Sequence, residues 1–132
     1  MRDLLSLAAA AVLTTAGAAT ADPSYDCSVR LNTAERTICD TALLSDLDRV
    51  MAVIFHDKRD QMTPADGRAL RKEQDLWLQW RDTCGAATSC LRRRYEQRII
   101  DLAPPGEVPP NFGCAENPYG SIPTAAELPP RD

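Results

Sequence analysis

The residues of this chain most suited to chemistry are its five cysteines, Cys27, Cys39, Cys84, Cys90 and Cys114. A structural zinc site needs close cysteine pairs with histidine or further cysteine partners, and the only histidine is His56. Oxidative pairing is the better reading in an exported protein, and four cysteines allow three pairings. The local set joins Cys27 to Cys39 and Cys84 to Cys90 and is the first choice. The crossed sets would instead tie the amino-terminal loop onto the last helix hairpin. Eleven residues lie between Cys27 and Cys39, and closing a loop of that size contributes about 2–3 kcal/mol through chain entropy. Cys114 is left over as the unpaired cysteine. It could stay free, dock on the domain, or link two chains in a disulfide-bonded dimer.

The other reactive side chains assemble into no catalytic pattern. His56 sits beside Phe55 near a helix end, with no Ser-His-Asp or Cys-His arrangement around it. Glycoside hydrolysis needs two carboxylates held across a cleft, and a small helical domain offers little cleft. Asp46 and Asp48 are two apart and do not face each other on a helix. No catalytic residue, cofactor or metal is expected. The Arg92-Arg93-Arg94 run invites an anion but reads better as a solvated helix face balanced by Glu96 and Asp101. Glu35, Gln74, Arg81, Asp82 and Arg98 are different, because each lies next to a cysteine or aromatic position that must be buried. Glu35 reaching Arg81 or Arg98 as a partly buried ion pair would set helix geometry more than it would add stability. With 15 Lys and Arg against 19 Asp and Glu, a net charge of −4, the chain lacks the basic excess of a nucleic-acid binder.

These residues need a compartment and a scaffold. Arg2, the apolar run from Leu4 to Ala19, and Ala19-Thr20-Ala21 form a secretory signal with a small-residue cleavage site. The run is too short for a membrane-spanning helix. Ser-Tyr-Asp before Cys27 is unlike a lipid-attachment site, so a soluble periplasmic or secreted product starting at Asp22 is expected, with no stable membrane insertion. The chain divides into a signal at residues 1–21, one helical domain at 22–102, and a tail at 103–132. The tail holds eight prolines in thirty residues and has no periodicity, so it is expected to be extended or disordered.

The expected fold is all-α: a small disulfide-stapled bundle of three to four helices. Asn32 or Thr33 caps a short first helix ending near Cys39, with Glu35 in its first turn. A second helix spans about Leu43 to Gln61. Its apolar stripe is Leu43, Leu47, Val50 and Ile54, flanked by Leu44, Met51 and Phe55, while Asp46, Asp48 and Arg49 point mainly elsewhere. Thr63 and Pro64 open a third helix running to about Cys84. Its face carries Leu70, Trp77 and Trp80, mainly as core. After Gly85 a fourth helix starts near Thr88 or Ser89, with Leu91, Tyr95, Ile99 and Leu102 on one face.

Taken in order, Tyr25-Asp26-Cys27, Glu35-Arg36-Thr37-Ile38-Cys39, Leu44-x2-Leu47-Asp48, Gln74-x2-Trp77-Leu78-x2-Arg81-Asp82-x-Cys84 and Cys90-Leu91-x3-Tyr95-x2-Arg98-Ile99 resemble the amino-terminal domain of the LprI-type lysozyme inhibitor family of bacterial envelope proteins. The resemblance covers about Pro23 to Leu102. It implies a secreted, all-helical, cysteine-stapled domain that blocks a lysozyme-type muramidase by non-covalent binding, without enzymatic activity. The alternative is a non-enzymatic envelope module that binds another secreted protein or the cell wall. Glu35, Asp48, Gln74, Trp77, Arg81, Asp82, Tyr95 and Arg98 are then read as fold determinants. The resemblance transfers no contact surface for the inhibited enzyme. The proline-rich tail with Cys114 and the lack of a lipid-attachment site set this chain apart from the family's lipoprotein namesake.

Overall fold

The computed structural model describes residues 22–104, which form four helices and, among the described residues, no strand. They are α1 (Thr33–Cys39), α2 (Ala42–Asp60), α3 (Pro64–Asp82) and α4 (Thr88–Leu102). The all-α, disulfide-stapled bundle expected from the sequence is the fold observed. Residues 1–21, where a signal is expected, and the residues beyond Pro104, Cys114 among them, lie outside the described residues, so the expectations for them do too.

Local chemistry sets the helix starts. Asn32 and Glu35 form a reciprocal capping box on α1, the Asn32 side chain accepting from the Glu35 amide while the Glu35 carboxylate accepts from the Asn32 amide. Thr63 caps α3 by accepting from the Asp66 amide, with a proline in the first turn. Gly85, at φ 54°, supplies the left-handed turn between α3 and α4. Cys84 and Cys90 bridge that turn, and Cys27 and Cys39 tie the segment before α1 to the last residue of α1, so the local pairing is the one formed. Both bridges are intramolecular.

The core is continuous. Trp77, Leu91, Tyr95, Ile99 and Ile38 are fully buried, joined by Leu44, Met51, Leu70 and Leu102. Each such side chain contributes on the order of 1.5–3 kcal/mol by leaving water. α2 makes its most extensive contacts with α4, and α1 closes one end against the other three helices. The irregular residues 22–31 are tied down by the Tyr25 hydroxyl donating to the Glu35 carbonyl (2.9 Å) and by the Arg36 guanidinium donating to the Cys27 carbonyl (3.0 Å). No helix among the described residues is long and apolar enough to cross a membrane.

One expectation is corrected. The buried face of α2 is Leu44, Leu47, Asp48, Met51 and Phe55, while Leu43, Val50 and Val53 are exposed. The stripe assigned to Leu43 and Val50 is therefore displaced around the helix. The reason is Asp48: it sits at the four- and three-residue steps between Leu44 and Met51, on the inward face, where a buried cation and a phenol receive it.

Candidate functional site

α1, α2, α3 and the segment before α1 enclose an open groove of about 790 Å³. The expectation that so small a domain offers little cleft is thus overturned. One wall is apolar, formed by Met51, Ala52, Phe55 and Leu78. Ser24, Tyr25, Asn32, Glu35, Asp48, Arg81 and Asp82 give the groove a polar lining as well, α2 and α3 each contributing to both kinds.

Arg81 organises the polar lining. It is almost fully buried at the end of α3, and its guanidinium donates through Nε (2.9 Å) and Nη2 (2.7 Å) to Asp82 Oδ1. Nη1 donates to the Tyr95 hydroxyl (3.1 Å), which in turn donates to Asp48 Oδ1 (2.8 Å). Glu35 Oε1 lies 3.9 Å from Nη2, and Asp48 Oδ1 lies 4.0 Å from Nη1. The Ser24 amide donates to Asp48 Oδ2 (2.7 Å), with the Ser24 hydroxyl on the same oxygen. Asn32 links the two outer carboxylates, donating from its amide to Glu35 Oε2 (2.9 Å) and from Nδ2 to Asp82 Oδ2 (2.8 Å).

Electrostatics follow from this geometry. Burial disfavours the charge on Arg81, but the Tyr95 oxygen and Asp82 more than offset it and hold its pKa above the ordinary value. Burial pushes the Tyr95 phenol well above its usual value, with Asp48 adding to the shift against the opposing pull of Arg81. Tyr25 moves the same way, again chiefly by burial. Both phenols therefore stay protonated and act as fixed donors. Asp48 accepts from Tyr95 and Ser24, and Arg81 is committed to Asp82 and Tyr95. The arrangement presents fixed polar groups along the groove. No group of three His, Cys, Asp or Glu side chains among the described residues is gathered as a metal would require.

A second polar cluster lies in the core between α3 and α4. Arg98 is 1% exposed and donates from Nε to Gln74 Oε1 (2.9 Å) and from Nη1 to Glu73. Its Nη2 has no hydrogen-bond partner among the described residues, nor has Trp77 Nε1. Trp77 meets Tyr95 edge-on at 5.2 Å. Glu35, Asp48, Arg81 and Asp82 are thus brought together at the groove, with Tyr95 buried behind Arg81 and Asp48. Gln74 and Arg98 form the other cluster, although Gln74 also reaches the groove lining. Of the two partners considered for Glu35, the structure provides Arg81.

The arginine run on α4 does not form an anion cradle. Arg92 pairs with Glu96 (2.6 Å), and Arg94 stacks over the Trp80 ring at 3.4 Å. His56 is an exposed residue at the groove edge. Sequence reasoning missed Ser24 as a partner of Asp48 and Glu73 as the partner of Arg98. Neither has a sequence signal, since both contacts span more than twenty residues. The inward placement of Asp48 did have one, in its spacing from Leu44 and Met51.

A family model described as Lysozyme inhibitor LprI matches residues 27–102. No curated protein and no solved structure matches the chain. The matched span holds all four helices, both disulfides and the whole Arg81 network except Ser24 and Tyr25.

Proposed function

Because the chain belongs to the LprI lysozyme inhibitor family, we propose that it is a periplasmic or secreted protein that blocks a lysozyme-type muramidase by non-covalent binding. The family match over residues 27–102 is the observation that carries this reading. It is supported by an open groove whose lining carries the carboxylates Glu35, Asp48 and Asp82. A net charge of −4 also suits a basic enzyme, steering encounter and making the complex salt-sensitive. The inhibitor acts by covering the enzyme's cleft, with one inhibitor per enzyme.

The test is lysis of peptidoglycan by a c-type lysozyme in the presence of increasing amounts of oxidised residues 22–132. Inhibition should rise to a stoichiometric end point, weaken as salt rises, and vanish when the disulfides are reduced. Undiminished lysis at large excess would sink the inhibitor reading. The remaining role would then be a non-enzymatic envelope module that binds another secreted protein or the cell wall, for which the exposed Leu43, Val50 and Val53 on α2 provide an apolar face.

A further inference from the structure

We infer that the groove between α1, α2 and α3 is the surface that meets the muramidase, and that it receives a basic side chain of the enzyme. This rests on the inhibitor reading above and adds to it the place of contact and the chemistry recognised. The groove pairs an apolar wall of Met51, Phe55 and Leu78 with a rim bearing Glu35 and Asp82. Such a site suits lysine or arginine, whose alkyl stem lies on apolar surface while the cationic head meets carboxylate.

The charge count favours a cation. Glu35, Asp48 and Asp82 face the single guanidinium of Arg81, so three negative charges against one positive leave two negative charges at the polar lining. Arg81 is 3% exposed and each of its three nitrogens already donates a hydrogen bond, so it offsets part of the negative charge from beneath the surface. The rim carboxylates differ from those of a solvated helix face. Their side chains are about one-third exposed, at 30% for Glu35 and 31% for Asp82, and both are held by the same residue, Asn32. Arg81 fixes Asp82 a second time. Neither carboxylate has to be ordered when the cation arrives, which removes part of the usual cost of binding. The Cys27–Cys39 bridge closes a loop that carries Asn32 and Glu35, so this part of the rim is stapled to the end of α1.

Calorimetric titration of oxidised residues 22–132 into a c-type lysozyme, at low and at moderate salt, tests the assignment. Glu35→Gln removes one rim charge, and glutamine still serves a capping box, so α1 is retained. Gln79→Lys sets a competing cation on the groove lining at a helical position that accepts lysine. Each should weaken binding about tenfold, equivalent to about 1.4 kcal/mol, and Glu35→Gln should also lessen the salt dependence. Val53→Ser, on the exposed side of α2 and outside the groove, should bind within about twofold of the unaltered chain. Circular dichroism confirms that each variant is folded. Tight binding by the unaltered chain and equally tight binding by both groove variants would overturn the groove assignment while leaving the inhibitor reading intact. Selective weakening by Val53→Ser would do the same and move the contact to the outer face of α2. No binding by the unaltered chain would overturn the inhibitor reading itself, and this inference with it.

Discussion

Arg81 and Arg98 are both buried arginines of one small domain, and their surroundings differ. Arg81 lies within 4.0 Å of three carboxylates, and its neighbour Tyr95 passes a hydrogen bond on to Asp48. Arg98 has one carboxylate, Glu73, whose side chain is 52% exposed, and a neutral amide, Gln74. One of its nitrogens finds no partner among the described residues. The first site carries more charge than its own neutrality requires and opens onto a groove. The second carries just enough polarity to bring a long side chain into the core. Surplus carboxylates beside a buried cation are what the proposed cation-binding groove requires, whereas a minimal set is enough to fix helix geometry.

The comparison can be broken most directly by removing each guanidinium. Arg81→Met strands Asp48, itself 1% exposed, beside a phenol with no cation, and should cost about 3–5 kcal/mol in urea-induced unfolding. Arg98→Met releases Glu73 to solvent and should cost only about 1–2 kcal/mol. Equal losses would mean that the two clusters are energetically alike and that the extra carboxylates at Arg81 contribute nothing special.

A smaller effect is expected from the disulfides. Replacing Cys27 and Cys39 by serine should cost about 2–3 kcal/mol, because it opens the longer of the two loops. On the proposed groove assignment it should also weaken muramidase binding beyond the loss of stability, since the loop it closes carries Asn32 and Glu35. Replacing Cys84 and Cys90 should lower stability by somewhat less, the enclosed loop being half as long, and leave the binding of folded protein unchanged. A binding defect in the folded Cys84/Cys90 variant would place part of the contact on the α3–α4 turn.

The smallest effect concerns pH. The phenols of Tyr95 and Tyr25 have folded-state pKa values above their ordinary value of 10.0. Below that value both folded and unfolded chains hold the proton, so their contribution to stability is fully present. Above it the unfolded chain loses the proton first, and stability falls as pH rises toward the folded-state value. Unfolding followed from pH 8 to pH 11 should therefore show a progressive loss beginning near the ordinary phenol value. Tyr95→Phe should lower stability at neutral pH by about 1–2 kcal/mol, by leaving Asp48 and Arg81 short of a partner, and should flatten the alkaline decline. An unchanged alkaline slope in that variant would assign the effect to Tyr25 or to another group.

Much of this molecule could be read along the chain because its signals are local. The capping box at Asn32 and Glu35, the Thr63-Pro64 start of α3, the Gly85 turn and the short cysteine spacings each act within a few residues. Short-range steric and hydrogen-bonding rules decide such features, so the helix starts and the favoured disulfide pairing agreed with the structure. The face of α2 was harder, because Leu43, Leu44, Val50 and Met51 are all apolar and two neighbouring stripes compete. Hydrophobicity alone cannot choose between stripes of equal apolar content. The choice fell to the one that carries Asp48 inward to Tyr95 and Arg81, contacts that span forty-seven and thirty-three residues.

By itself, the sequence determined an all-helical, twice-stapled domain of a recognisable family, because periodicity, caps and cysteine spacing act over one or two helical turns. Only the tertiary structure decided which face of α2 is inside, which carboxylate meets which arginine, and that a groove of about 790 Å³ remains beside α1. Those depend on how four helices of unequal length meet, with seven residues in α1 against nineteen in α2 and α3, and on pairing charges that are distant along the chain but cannot be buried alone.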